Sequence, residues 1–226
     1  MHRIISIGAL DAHPLRNEAA PVRTGHATTT LISTDDGAHI LVDPGLPAVA
    51  LTARLDERAG IAPADITHVF LTSFHPDCRR SLEAFDGAEW MIHAPEREQV
   101  GVPMVATVQR AREHGDTELA QEIEREVMLL QKCKPAPDKL ARRVDLFPLP
   151  GVSPGMCGLL LSERRHTLLI CGDAIPTIEH LERGQVLKRA ADGALAKDSM
   201  QEALEIADLL ILGRDELVAN PMRGPF

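Results

Sequence analysis

Short apolar runs rich in isoleucine, leucine and valine alternate along this chain with stretches whose apolar residues recur every three or four positions. That alternation restricts the fold to a layered α/β architecture, with helices covering a sheet. Ile4 to Leu10, Thr28 to Ser33, Ala38 to Val42 and Thr67 to Thr72 read as strands, and Asp35-Asp36-Gly37 as the turn of a hairpin between the second and third. Helices are expected over Ala48 to Arg58, after Pro47 and before Gly60, and over Ser81 to Phe85. From Val105 onward, Val108, Leu119, Ile123, Val127 and Leu130 stand mostly three and four apart on a charged background. This reads as one long or two consecutive amphipathic helices, an insertion over 105–133 that fits a lid, a homodimer face or plain packing. Pro-Ala-Pro-Asp at Pro135 to Asp138 ends it. A second half follows, with strands at Val144 to Phe147, Gly158 to Leu161, Thr167 to Cys171 and Leu209 to Leu212, and helices around Pro176 to Glu182 and Ser199 to Ala207. No fixed-period repeat relates the halves, and residues 1–226 are read as one domain.

Composition narrows the partners. A hydrophobic content of 44% builds an ordinary core, and an aromatic content of 3% makes that core aliphatic and leaves no base-stacking platform. With a net charge of −9 and basic residues scattered among acidic ones, no nucleic-acid partner is expected, and charge alone favours a small neutral or cationic one. No stretch approaches membrane-spanning length, and Met1 to Leu10 suits a first strand better than a leader peptide. Cys78, Cys133, Cys157 and Cys171 occur singly, which points to a reducing cytoplasm.

Chemistry-bearing residues gather where strands end. Leu71-Thr72-Ser73-Phe74-His75-Pro76-Asp77-Cys78 places several ligand-type side chains just past an apolar strand, and Cys171-Gly172-Asp173-Ala174 puts a carboxylate directly after another. Pro150-Gly151-Val152-Ser153-Pro154-Gly155 is a turn before a strand, Val42-Asp43-Pro44-Gly45 lies upstream, and Leu212-Gly213-Arg214-Asp215 near the end.

In order and spacing these five segments resemble the metallo-β-lactamase superfamily over nearly the whole chain. The resemblance implies an αββα four-layer sandwich and a hydrolase-like activity on esters, lactones or related bonds. Family members carry Thr-His-x-His-x-Asp-His, Pro-Gly-His-Thr-Pro-Gly, Gly-Asp and Pro-Gly-His at these places, binding two metals that ionise a water. Here His75, Asp77 and Asp173 match, whereas Ser73, Cys78, Val152 and Arg214 stand where the family has histidine. Valine binds no metal and serine is a poor zinc ligand, so the first metal position keeps only His75 and Asp173. The second retains Asp77, Cys78 and Asp173, so at most one zinc, iron or manganese ion is expected, and none if Arg214 neutralises the aspartates in a metal's stead.

Two readings of function follow. In the first, His75, Asp77, Cys78 and Asp173 hold one metal, with His75 and Asp77 also serving the chemistry of ester or lactone hydrolysis. In the second, the chain is a catalytically inactive, metal-free binding or regulatory module that recognises a small anion through Arg214, Arg79 and Ser73, the neighbouring Arg80 lying beside them. A third reading makes Cys78 a nucleophile with His75 as its base. Asp43 is expected to form a turn and hold neighbouring groups rather than react. His26 and the Glu179-His180 pair lie on loops near the pocket, where exposed polar residues are ordinary.

Overall fold

The computed structural model describes residues 1–223. Two six-stranded mixed sheets face each other. The first runs in the order β1 (His2–Ser6), β2 (Thr29–Ser33), β3 (His39–Val42), β4 (His68–Leu71), β5 (Glu89–Ile92) and β6 (Lys134–Pro135). The second runs β12 (Leu217–Ala219), β11 (Leu209–Leu212), β10 (Thr167–Gly172), β9 (Cys157–Ser162), β8 (Val144–Pro148) and β7 (Lys139–Ala141). Helices α1 (Ala48–Ala59), α3 (Ala94–Glu113) and α4 (Thr117–Lys132) cover the outer face of the first sheet. Helices α5 (Ile178–Arg183) and α6 (Gly193–Ile206) cover the second. This is the expected αββα sandwich.

Strand alternation builds three apolar layers, because successive side chains leave a strand on opposite faces. In β4, Val69 and Leu71 join Leu51 and Leu55 of α1 on the outside, while Phe70 faces Leu159, Ile170 and Ile211 of the second sheet. In β10, Leu168 and Ile170 point inward, and Leu169 packs outward on Met200 and Ala203 of α6.

The expected insertion is a helical hairpin of α3 and α4 that begins at Ala94, earlier than Val105. Pro95 opens α3 at a position where a missing N–H costs nothing, and Pro103 inside it blurs the apolar period there. Helix α6 likewise starts at Gly193, because Asp192 caps it by accepting hydrogen bonds from Ala194 N (2.9 Å) and Leu195 N (3.0 Å). Strand β5 was not expected: its Glu-Trp-Met-Ile is too short to show a period. Strands β6, β7 and β12 are shorter edge pieces with the same difficulty.

One carboxylate ties the helical hairpin to the ends of the strands. Glu96, fully buried in the first turn of α3, accepts from Phe74 N (3.0 Å), Gly155 N (3.0 Å) and Ser153 Oγ (2.5 Å). The approach requires glycine at 155, where a Cβ would lie 2.1 Å from Glu96 N. Removing the carboxylate orphans buried donors. We expect Glu96→Ala to lower the unfolding free energy by about 2–4 kcal/mol in urea denaturation with an unchanged m-value. A loss below about 0.5 kcal/mol would contradict this role.

Candidate functional site

The parallel strands β3, β4, β10 and β11 end at one edge of the sandwich, and the segments that follow them carry Asp43, Ser73 to Asp77, Asp173 and Arg214. The short helix α2 (Pro76–Arg79) starts directly after His75, whose Nδ1 accepts from Asp77 N at 3.2 Å. The loops after β10 and β11 touch: a Cβ on Gly213 would lie 2.3 Å from Gly172 O, so only glycine lets Arg214 settle over Asp173. Arg214 N also donates to Pro176 O at 2.7 Å, which fixes the backbone from which its side chain extends.

The centre of the site is a guanidinium between two carboxylates. Arg214 has no exposed side-chain surface; its Nε and Nη2 donate to the two oxygens of Asp173 at 2.7 and 2.8 Å, and its Nη1 to Asp77 Oδ2 at 2.6 Å. The bidentate pairing is the fork geometry that suits arginine and not lysine. Two further arginines bring the set to three guanidinium groups on two carboxylates. Arg80 Nη2 donates to Asp77 Oδ1 at 3.0 Å, and Arg189 Nη2 to Asp173 Oδ2. Burial alone would raise both aspartic acids, but Arg214 outweighs it and holds Asp173 and Asp77 below the ordinary carboxylate range. Arg214 is held above its ordinary value by Asp173 despite burial.

The surrounding groups are quiet. Burial, followed by the Arg189 guanidinium, pushes the His75 imidazolium down to about 4, so the ring is neutral at pH 7. With Nδ1 accepting from Asp77 N, the ring proton lies on Nε2. Burial, with Asp43 and Asp173 adding to it, pushes the Cys78 thiol well above its ordinary value; the group lies 3.6 Å from Ser73 Oγ. A protonated, buried thiol is not poised as a nucleophile. Asp43 adopts a left-handed backbone (φ 51°) and accepts from Thr72 N (2.9 Å) and Thr72 Oγ1 (2.7 Å). Burial raises its carboxyl to about 7, and it braces the end of β4.

Ser73, Phe74, His75, Val152, Asp173 and Arg189 line an open cavity of about 390 Å³ over this set. Arg189, on the loop between α5 and α6, is 39% exposed and is the cation that faces it. Arg79 lies elsewhere: it stacks 4.1 Å over the Phe74 ring, donates to Phe74 O at 3.0 Å and pairs with Glu126 of α4. The arginine of that pair which reaches an aspartate is Arg80. His26 and Glu179 do not line the cavity, and His180 is buried on Thr177 Oγ1 at 2.9 Å. Nothing in the sequence marks Arg189 or Glu96 as a site residue. Arg189 lies in a polar loop well past Asp173, with no spacing to mark it, and Glu96 resembles any first-turn helix acid.

The family model of the metallo-beta-lactamase superfamily matches residues 22–212, and the chain belongs to that superfamily. Among solved structures, a Thermotoga maritima protein provisionally assigned as a metallo-beta-lactamase is similar with a TM-score of 0.66 and 20% identity, over 96% of this chain and 98% of that one. The dizinc quorum-quenching lactonase AidC, in complex with its product N-hexanoyl-L-homoserine, is similar with a TM-score of 0.60 and 21% identity, over 79% of this chain and 67% of that one. A variant of AiiA from B. thuringiensis with N-decanoyl-L-homoserine at its active site gives 0.61 and 20%, over 90% and 86%. Comparison with curated proteins returned no match. Among the described residues no helix is long and apolar enough to cross a membrane.

Breaking a buried ion set by removing one partner costs far more than replacing the whole set. We expect Arg214→Met to destabilise the fold by about 3–5 kcal/mol, and Asp77→Asn with Asp173→Asn in that background to recover most of the loss. A cost of Arg214→Met below about 1 kcal/mol would show that the guanidinium is not the countercharge.

Proposed function

We propose that this chain is a metal-independent member of the superfamily that keeps the ancestral pocket as a binding site for a small carboxylate anion. The observation that carries the reading is the Arg214 guanidinium bonded to Asp77 and Asp173 together. A dication and a buried, permanently charged guanidinium repel each other at such range, and the donors that remain do not suit a metal pair. Val152 has no lone pair to offer, Ser73 is a poor zinc ligand, and the Nδ1 lone pair of His75 is taken by Asp77 N. Among the described residues no group of three or more histidine, cysteine, aspartate or glutamate side chains is arranged to hold a metal ion. No reaction step through a metal is therefore assigned.

The pocket retains groups that suit an anion. Arg189 spends one donor on Asp173 and has others left for a ligand, and neutral His75 contributes a ring N–H at Nε2. Phe74, Val100 and Val152 supply an apolar wall for a short acyl chain. The arrangement orients a carboxylate and provides no ionised nucleophile.

A second reading, hydrolysis of an ester or lactone by a single retained ion, draws support from the fold's likeness to quorum-quenching lactonases. One preparation separates the two readings. Untagged protein purified without chelators is expected to contain less than about 0.1 zinc, iron or manganese per chain by elemental analysis, and to leave N-hexanoyl-L-homoserine lactone intact. It is expected to bind N-hexanoyl-L-homoserine by calorimetry, with Arg189→Ala weakening that binding about tenfold or more. Near-stoichiometric metal with chelator-sensitive ring opening would overturn the proposal in favour of the hydrolase.

A further inference from the structure

At the opposite end of the sandwich the two sheets part around a cleft of about 580 Å³. The chain places it there unambiguously: β10 runs from Thr167 beside the cleft to Gly172 beside Asp173, and β2 runs toward it, ending at Ser33. The β7–β8 turn brings Arg142 and Arg143 to its rim, and the β9–β10 turn brings Arg164 and Arg165. These two Arg-Arg pairs are separated in sequence and read there as scattered charge, but the fold makes them neighbours. The cleft floor is aliphatic, built from the buried side chains of Ile32, Val144 and Leu161.

The charge of the rim is unusual for this protein. The chain as a whole carries −9, and elsewhere its arginines commonly pair with acids, as Arg16, Arg23, Arg79, Arg80 and Arg112 do. At this cleft, Arg143, Arg164 and Arg165 make no side-chain hydrogen bond or ion pair among the described residues, and Arg142 lies 4.0 Å from Asp35 with both groups largely exposed. The other acid, Glu163, lies 2.8 Å from His2 Nδ1 and 2.9 Å from His166 Nε2. Four guanidinium groups against two carboxylates leave a surplus of positive charge over a cavity whose volume suits a small ligand. Like charges brought together without partners repel, so an arrangement of this kind is relieved by a multiply charged anion.

We propose that this cleft is a second ligand site, separate from the Asp77–Asp173–Arg214 pocket, which binds a small molecule through a diphosphate group. Planar guanidinium forks from two turns clamp the phosphate oxygens, and the aliphatic floor receives the rest of the ligand. With no Phe, Tyr or Trp among its lining, the site grips the ligand chiefly through its phosphates. The ligand can be pyrophosphate itself or a nucleotide that carries it.

The test is isothermal titration of the full chain at about 150 mM salt with inorganic pyrophosphate and, separately, with ATP. Saturable binding of one molecule per chain is expected, weakened about tenfold or more by Arg164→Ala with Arg165→Ala, and likewise by Arg143→Gly. The glycine suits the left-handed backbone of position 143 (φ 67°), so that variant keeps the turn and tests the side chain alone. Tighter binding of ATP than of pyrophosphate assigns the floor to the nucleoside; equal affinity assigns the site to the free diphosphate. Absence of saturation with both probes up to about 1 mM overturns the proposal, as does binding that survives the double variant. So does binding lost in Arg189→Ala, which would place the anion in the other pocket, or tight arginine-dependent binding of single-stranded RNA with none of either small probe.

Discussion

The buried contact of Arg214 with Asp77 and Asp173 is the constraint around which the site end of this structure is organised. Two carboxylates held by separate sheets, one of them almost wholly buried, cannot remain ionised there without a countercharge. A guanidinium bonded to three of their oxygens supplies it, and its geometry demands that the ends of β4, β10 and β11 stand in one register. Much of the local structure answers that demand. Gly213 permits the approach of two loops, Asp43 accepts the strain of a left-handed backbone to hold Thr72, and Glu96 clamps the loops on either side of the pocket.

Burial, more than this interaction, is why the neighbouring groups are chemically subdued. Once Arg214 and Arg189 surround Asp173, His75 is neutral because it is desolvated and faces a guanidinium. Cys78, buried beside two carboxylates, keeps its proton. In the proposed account the pocket therefore recognises charge and does not generate a nucleophile. Its cation for that purpose, Arg189, comes from the loop between α5 and α6 and not from a strand end.

Much of the fold was legible from the residues. Strands with buried faces, such as Leu209 to Leu212 and Thr167 to Gly172, declare themselves by composition, and the strand-end segments gave away which loops converge. Elements defined by neighbours were harder to read. Glu89–Ile92 is a strand because β4 and β6 flank it, and α3 begins where a proline and a buried glutamate meet the loop from the other sheet. The set of strand-end residues was legible for the same reason the fold was, since Asp77, Asp173 and Arg214 occupy spaced positions. The difference between Arg79 and Arg80 was not, because adjacent residues on a short helix point to different partners and only the packing of α4 decides which faces the aspartates. Arg142 with Arg143 and Arg164 with Arg165 were invisible for a related reason: β-turns on different hairpins meet only in three dimensions.

The central claim is that a guanidinium takes the electrostatic place of a metal. A crystal grown in millimolar zinc and measured on both sides of the zinc absorption edge tests it most directly. The account predicts no anomalous peak between Asp77 and Asp173, with Arg214 still within hydrogen-bond distance of both. A zinc peak coordinated by those carboxylates, with the Arg214 side chain displaced, would contradict it.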